Sequence, residues 1–173
     1  MKIILLVSLL IAQSLQAGEV LSKLPYGIVL NKEVPEKVKP MLYNNSKEEK
    51  HIAYVSGKLK VYFNTKSEKR IVTALEFGYY QKLPKNWKRA NLKLCNDYNK
   101  GTSYDEVKKL IKKEKATKIE EYFKRNKKVI LFDIKDKSYS LDFIQEQDNY
   151  CKGGLQKIIV YQSEVRANKD SDY

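Results

Sequence analysis

Alternation of hydrophobic and polar residues in the second half of the chain predicts antiparallel strands. Residues 129–134 combine β-branched and aromatic side chains, which favour a strand. A tight turn leads into residues 138–144, where Tyr139 and every second residue after it are hydrophobic. A longer loop precedes residues 156–161, which are again rich in β-branched side chains. We therefore predict a hairpin followed by a third strand.

Helical spacing of apolar residues precedes these strands. Ser103 and Glu106 form a capping box, and the apolar residues that follow recur every three or four positions up to Ile111. Thr117 and Glu120 form a second capping box. It predicts a short helix whose apolar face carries Ile119, Tyr122 and Phe123. The second half is thus predicted as two helices followed by three strands.

The first half repeats this order with weaker signals. Asn31 is a candidate N-cap, Pro35 fits a first helical turn, and Pro40 ends the helix soon after. Three strands are predicted to follow, over residues 51–55, 59–63 and 70–77. The element order of the two halves therefore indicates an internal repeat.

We predict an α+β protein of two small repeated units. Each unit has short helices packed on one face of a roughly three-stranded antiparallel sheet. The units span residues 18–82 and 100–162, joined by a linker over residues 83–99, and a polar tail over residues 163–173 is predicted to be disordered. A single larger α+β domain without duplication is the alternative.

The first seventeen residues have the composition of a secretory signal peptide. Lys2 supplies a positive charge, residues 3–11 form an apolar run, and Ala17 is a small residue at a cleavage position. A membrane span needs about 20 apolar residues, and this run is shorter. Cleavage near Ala17 would give a periplasmic or secreted protein, and we predict no transmembrane segment in the remaining sequence.

Basic residues outnumber acidic ones, and this excess narrows the class of partner. The chain has 34 Lys and Arg against 21 Asp and Glu, a formal net charge of +13. Such an excess favours an acidic protein or an anionic envelope polymer or lipid. Nucleic acid is a less suitable partner for an exported protein. A solvated Lys-rich surface with no specific partner is the alternative.

The two cysteines, Cys95 and Cys151, predict one disulfide, because an even count in an exported protein favours pairing. Closing this loop would contribute about 4 kcal/mol by the chain-entropy estimate. Two free thiols are the alternative. A redox pair is disfavoured because the chain has no Cys-x-x-Cys spacing.

Residue patterns for catalysis are weak. His51 is the only histidine, and we find no nucleophile motif, phosphate loop or zinc spacing. Asp133, Asp136 and Asp142 surround one predicted hairpin, but the neighbouring lysines make charge balance the better interpretation. We predict no catalytic residue, no metal site and no cofactor.

Tyrosine is the most suggestive residue type, with 13 copies. It buries a large area and keeps a hydrogen-bonding tip, which suits interfaces. Helices cover one face of a predicted sheet, so aromatic residues on the other face would form a binding surface. The predicted partner-binding residues are Tyr54, Tyr62, Tyr139, Tyr161, Lys60 and Trp87. For each tyrosine, a place in the core is the alternative.

Residues 101–111, Gly-Thr-Ser-Tyr-Asp-Glu-Val-Lys-Lys-Leu-Ile, resemble the helix-opening motif of small exported domains of the beta-lactamase inhibitor protein type and of the related outer-membrane lipoprotein domain. In these families a Gly, a small polar residue and a Val-x-x-Leu helix precede an antiparallel sheet. The resemblance implies tandem α+β domains and an inhibitory function. Pro35 and Pro40 interrupt the corresponding first helix, and one disulfide replaces the expected one per domain, so no binding residue is carried over.

These observations together predict an exported, non-enzymatic binding protein. An inhibitor or immunity-type antagonist of an envelope or secreted enzyme would fit, with tyrosine anchors and lysines that steer association. The alternative is an envelope-associated structural protein that binds an anionic polymer or lipid surface. The Lys-rich stretches 108–118 and 124–128 would then make the contact.

Overall fold

The computed structural model describes residues 21–44, 51–55, 59–64, 66, 68–78, 83–145 and 150–163. The predicted signal peptide and nearly all of the predicted tail lie outside these residues. The strands are β1 (Leu42–Tyr43), β2 (Ile52–Val55), β3 (Leu59–Phe63), β4 (Val72–Phe77), β5 (Thr117–Lys124), β6 (Lys127–Ile134), β7 (Lys137–Ile144) and β8 (Leu155–Gln162). The helices are α1 (Lys85–Arg89) and α2 (Tyr104–Lys113), and two short 3-10 turns span Pro25–Gly27 and Lys39–Met41.

All eight strands belong to one antiparallel sheet, in the order β1-β2-β3-β4-β8-β7-β6-β5. The six predicted strands are confirmed, with small shifts at their ends. The prediction of two repeated helix-plus-sheet units is wrong. β4 pairs with β8 over Ala74 to Phe77, so strands from both halves form one continuous sheet.

The predicted second helix is the strand β5, and this is the main error in element type. Ile119, Tyr122 and Phe123 have helical spacing, but β-branched and aromatic side chains also favour strands. β5 pairs with β6 from Thr117 to Lys124, which satisfies backbone groups on that side of β6. Tertiary pairing therefore overrides the local helical pattern.

Helix α2 forms as its capping box predicts. The Ser103 hydroxyl accepts a hydrogen bond from the backbone N–H of Glu106, and the Glu106 carboxylate accepts one from the backbone N–H of Ser103. The helix ends at a left-handed residue, Lys115 (φ 55°). The N–H of Ala116 donates to the carbonyl of Ile111, which is the hydrogen bond of a Schellman motif. The chain therefore leaves the helix and enters β5.

The helix predicted after Asn31 is replaced by extended chain and a 3-10 turn. The N–H of Asn31 donates to the carbonyl of Val72, and the N–H of Val34 donates to that of Arg70. Asn31 itself has φ 58°, which is not the conformation of an N-cap. Within the described residues of this segment, Pro35 and Pro40 leave room only for the 3-10 turn at Lys39–Met41.

One face of the sheet carries the hydrophobic core. Residues 21–38, α1, α2 and the segment after α1 pack over this face, which we call the covered face. Trp87 of α1 is the largest buried side chain, and its ring centroid lies 5.0 Å from that of Phe77. Val107 and Ile111 bring α2 into the same cluster. Among the described residues, no helix packs on the opposite face of the sheet, although Asp133, Ser138, Asp142 and Tyr161 on that face are also buried.

Candidate functional site

Alternate residues of each strand point away from the core and form the second face of the sheet. This face is continuous, because residues on neighbouring strands lie directly opposite one another. Tyr54 is opposite Lys60, Lys60 is opposite Glu76, and Glu76 is opposite Ile159. The second face includes Tyr43, Tyr54, Lys60, Tyr62, Ala74, Glu76, Tyr122, Leu131, Asp133, Ser138, Ser140, Asp142, Lys157, Ile159 and Tyr161.

Three tyrosines of this face, from β1, β2 and β3, lie at one end of the strand order, and we call them the tyrosine row. Tyr43 and Tyr54 lie opposite each other, and their rings stack with centroids 5.6 Å apart. Lys60 Nζ lies 5.9 Å from the centroid of the Tyr54 ring, within the range of a cation–π contact. The Tyr62 hydroxyl donates a 2.7 Å hydrogen bond to Glu76. The row therefore presents ring surface held in place by cross-strand neighbours.

Lysines on the second face lie next to carboxylates. Lys60 Nζ is 3.8 Å from Glu76, and Lys157 Nζ is 3.4 Å from Asp142. Lys127 also reaches Asp142, at 3.7 Å, and Lys118 lies 3.3 Å from Asp133. Four lysines thus face three carboxylates in these pairs. Local charge is nearly balanced, so the aromatic rings distinguish this face more than its charge does.

The remaining predicted partner-binding residues divide between the two faces. Tyr161 belongs to the second face, opposite Ala74 and Ser138, but only 8% of it is exposed. Tyr139 and Trp87 belong to the covered face and are 1% and 0% exposed. The Tyr139 hydroxyl donates to the backbone carbonyl of Leu21 at 2.8 Å. Tyr139 and Trp87 are therefore core residues and are not part of the candidate surface.

Tyr43 belongs to the tyrosine row but was not among the predicted partner-binding residues. Its strand β1 has only two residues, too few for an alternation signal. Pairing of β1 with β2 brings Tyr43 opposite Tyr54, and that pairing depends on tertiary register. The nearest sequence signal is the Leu42-Tyr43 pair itself, which is too short to assign to a strand.

A second cluster lies where α2 crosses the outer strands, on the covered side of β5. The Glu121 carboxylate accepts a hydrogen bond from the Tyr104 hydroxyl and lies 3.0 Å from Lys108 Nζ and 4.0 Å from Lys128 Nζ. Lys128 Nζ also lies 3.4 Å from the centroid of the Tyr104 ring. We call these four residues the basic corner. It joins the two Lys-rich stretches noted in the sequence.

Ionisation in the basic corner follows from these contacts. The hydrogen bond from Tyr104 and the ion pair with Lys108 lower the pKa of Glu121. Partial burial, with the neighbouring Glu121 carboxylate, raises the pKa of Tyr104 to about 12. The pKa of Lys108 is raised by Glu121. Glu121 is therefore ionised and Lys108 is charged at neutral pH.

Cys95 and Cys151 form the predicted disulfide, with Cα atoms 5.8 Å apart. Close backbone contacts surround it. A Cβ atom at Gly154 would lie 1.8 Å from the carbonyl oxygen of Lys100, so only glycine fits there. The bond is compatible with a periplasmic or extracellular protein. In the described part of the chain, no helix is long and apolar enough to cross a membrane.

The residues considered for chemistry are exposed or paired with other side chains. His51 is exposed and lies just before β2. Asp136 pairs with Lys137 at 2.8 Å, and Asp133 accepts a 2.5 Å hydrogen bond from Ser138. Within the described ranges, no group of three or more His, Cys, Asp or Glu is arranged to hold a metal ion. The hairpin carboxylates therefore have protein partners of their own.

No protein-family model, curated protein or solved structure matches this chain. The resemblance of residues 101–111 to the beta-lactamase inhibitor type stays a prediction. A function for this protein must therefore be argued from its surfaces.

Proposed function

We propose that this protein is an exported, non-enzymatic binding protein that uses the second face of its sheet to hold another protein. The tyrosine row carries the proposal. Tyr43, Tyr54 and Tyr62 form a patch of aromatic rings on the face that the helices leave uncovered. Tyrosine is enriched among residues that dominate binding energy, because it buries a large rigid surface and still offers a hydroxyl.

Charge supports an acidic partner through long-range attraction. The net charge of +13 belongs to the whole chain, whereas lysines of the second face lie beside carboxylates. Long-range attraction raises the association rate, and the aromatic contacts slow dissociation. A partner that is an enzyme would be inhibited if the tyrosine row covered its active site. An inhibitor or immunity-type antagonist is the specific form of this proposal.

Affinity capture with matched variants tests the proposal. The baits are the wild-type protein, a Tyr54→Ala/Tyr62→Ala variant, and a control Tyr98→Ala/Tyr150→Ala variant that removes two exposed loop tyrosines. The preys are envelope and secreted proteins of the source cells, captured at physiological salt. A binding-energy loss of about 2 kcal/mol at one anchor tyrosine corresponds to roughly 30-fold in affinity. The first variant should therefore lose the partner.

The control variant shows whether binding depends on the tyrosine row or on exposed tyrosines in general. Wild type and the Tyr98→Ala/Tyr150→Ala variant should retain the same partner equally. Equal retention by all three baits, or no retained protein with any bait, would contradict the proposal. Inhibition of the captured partner by wild-type protein, if it is an enzyme, tests the antagonist form separately.

A second candidate function is binding to an anionic polymer or lipid surface, and the basic corner is the observation that favours it. Lys108 and Lys128 come from the two Lys-rich stretches and meet at Glu121. Lys112 is exposed and lies one turn of α2 after Lys108, on the same side of the helix. Juxtaposed lysines attract anionic head groups within a Debye length of the surface.

Vesicle sedimentation distinguishes this second function from the first. Vesicles with phosphatidylserine should bind wild type with a steep loss as salt increases, whereas uncharged phosphatidylcholine vesicles should not bind. A Lys108→Gln/Lys112→Gln variant should bind less than a Lys32→Gln/Lys37→Gln variant, which removes the same charge elsewhere. Equal binding of the two variants would show that net charge alone is responsible.

A further inference from the structure

The outer strand β5 leaves one side of the sheet open to pairing. It lies at the end of the strand order, and all eight of its residues are exposed. Phe123 is 70% exposed, and Ile119 and Tyr122 are also exposed hydrophobic residues. In the described part of the chain, no strand pairs with the outer side of β5. Such an edge is a template for another strand, and natural proteins usually shorten or block it.

Only part of β5 is regular enough to pair. Its register with β6 shifts between Thr117 and Glu120, and Lys118 has φ 48°, a left-handed conformation. This irregularity interrupts the edge at its start. Residues from Glu120 to Lys124 pair with β6 without a break. The regular edge therefore spans five residues, and Arg125 (φ 54°) ends it in a turn.

The charges of this segment complement those of a second copy. Two copies of β5 can pair antiparallel about a two-fold axis perpendicular to the sheet. Directly opposed residues of the two copies must then point to the same face of the sheet. This condition is met only when one residue lies on the axis, opposite its own copy. Centring on Tyr122 puts Glu120 of each copy opposite Lys124 of the other. Opposite charges in directly opposed positions stabilise a strand pair.

The registers of the β5 pair centred on the residues next to Tyr122 are less favourable. Centring on Glu121 sets that carboxylate against itself, which is destabilising. Centring on Phe123 requires Arg125 to pair, although Arg125 lies in the turn. Centring on Tyr122 is the register that uses the whole regular segment and opposes no like charges.

We propose that β5 is a homodimer interface in which two copies pair antiparallel about Tyr122. The two sheets then form one continuous sheet, and the second faces of both copies lie on the same side. A five-residue edge contact is small, so we expect a weak dimer whose population depends on protein concentration. Net positive charge on both copies opposes association, but its repulsion is screened beyond about 8 Å at physiological salt.

Sedimentation velocity with charge-reversed variants tests this interface. Wild type should change from monomer to dimer as its concentration increases. Glu120→Lys alone puts Lys opposite Lys, and Lys124→Glu alone puts Glu opposite Glu, so each variant should dimerise at least about tenfold more weakly. An equimolar mixture of the two variants restores both opposite-charge pairs. The mixture should therefore form a heterodimer about as tight as the wild-type dimer.

Matched controls remove the effect of total charge. Glu68→Lys and Lys112→Glu make the same charge changes at exposed positions outside β5 and should leave dimerisation unchanged. Isotope-filtered NMR on mixed labelled and unlabelled wild type should show contacts between the Tyr122 rings of two copies. A protein that stays monomeric up to millimolar concentration overturns the proposal. So does a dimer that neither single reversal weakens, or a mixture that does not associate.

Discussion

Tyr139 and Tyr62 lie on opposite faces of the same sheet, and their surroundings differ in every respect that matters for function. Tyr139 is almost fully buried, stacks on Phe132 at 5.1 Å, and donates its hydroxyl hydrogen to the backbone carbonyl of Leu21. Burial raises its pKa well above the usual range. Tyr62 is half-buried and donates to the Glu76 carboxylate.

The two faces also differ in the residue types that they carry. The covered face is a nearly continuous set of Val, Leu, Ile and Phe side chains beneath α1 and α2. On the second face, tyrosine, serine, lysine and carboxylate side chains have partners across the strands. Burial of apolar area makes the covered face the main source of stability. The same residue type therefore stabilises the fold on one face and is available for binding on the other.

Truncation of an aromatic residue should give the largest difference between the two faces in the loss of unfolding free energy. Trp87→Ala removes the largest buried side chain, and we expect a loss of about 3–5 kcal/mol in the free energy of unfolding. Tyr54→Ala on the second face should cost less than about 1 kcal/mol, because its ring is half-buried. Chemical denaturation measures both. Equal losses would break the distinction between the faces.

Removal of the disulfide should lower stability without changing the second face. The Cys95→Ser/Cys151→Ser variant loses a cross-link with a sequence separation of 56 residues, for which the chain-entropy estimate is about 4 kcal/mol. Partner affinity of the molecules that remain folded should stay at the wild-type value. The free energy of unfolding and the capture assay measure the two effects. A loss of affinity in the folded variant would connect the disulfide to the binding surface.

Removal of one hydroxyl on each face gives a smaller and sharper comparison. Tyr139→Phe leaves the Leu21 carbonyl without this buried donor, and we expect a loss of about 1–2 kcal/mol in the free energy of unfolding. Tyr62→Phe should cost less, because water can replace the hydroxyl beside Glu76. In the capture assay the order should reverse. If Tyr139→Phe weakened binding more than Tyr62→Phe did, the assignment of the faces would be wrong.

Protonation of Glu106 in the N-terminal cap of α2 should change the free energy of unfolding by the smallest amount of these predictions. Hydrogen bonds from the backbone and hydroxyl of Ser103 lower the pKa of Glu106 below its ordinary value near 4.5. A lowered folded-state pKa stabilises the fold above the unfolded-state pKa, and this contribution disappears as pH falls through the lowered value.

The matching measurement is the stability difference between wild type and Glu106→Gln as a function of pH. It should be constant near neutrality and shrink below about pH 4.5. In a Ser103→Ala background the pH dependence should be reduced, because the hydroxyl partner is gone. A difference that grew in acid would contradict the capping assignment.

Local patterns predicted those elements whose signals are contained in a few neighbouring residues. The Ser103–Glu106 capping box and six strands are of this kind. Alternation also placed Tyr139, Leu141 and Phe143 together on one face of β7, and the structure confirms it. Alternation does not say which face the helices cover, so it cannot distinguish a core role for Tyr139 from a binding role.

The errors in the prediction involve contacts between distant parts of the chain. The pattern of Ile119, Tyr122 and Phe123 fits a helix, and pairing with β6 makes the segment a strand. Pairing of β4 with β8 joins Ala74 to Tyr161 and Phe77 to Ile158, which lie far apart in the sequence, so the two predicted units form one sheet. The tyrosine row likewise depends on the register of β1 with β2. Such registers depend on the whole fold and leave little trace in a local pattern.

Tyrosine footprinting of the captured complex tests most directly whether the second face is the binding face. A tyrosine-modifying reagent is applied to the free protein and to the complex, and modification is read at each site by mass spectrometry. Tyr43 and Tyr54 should be modified in the free protein and protected in the complex, whereas Tyr98, which is 96% exposed, should react equally in both. Protection of Tyr98 with unchanged reactivity at Tyr43 and Tyr54 would contradict the account.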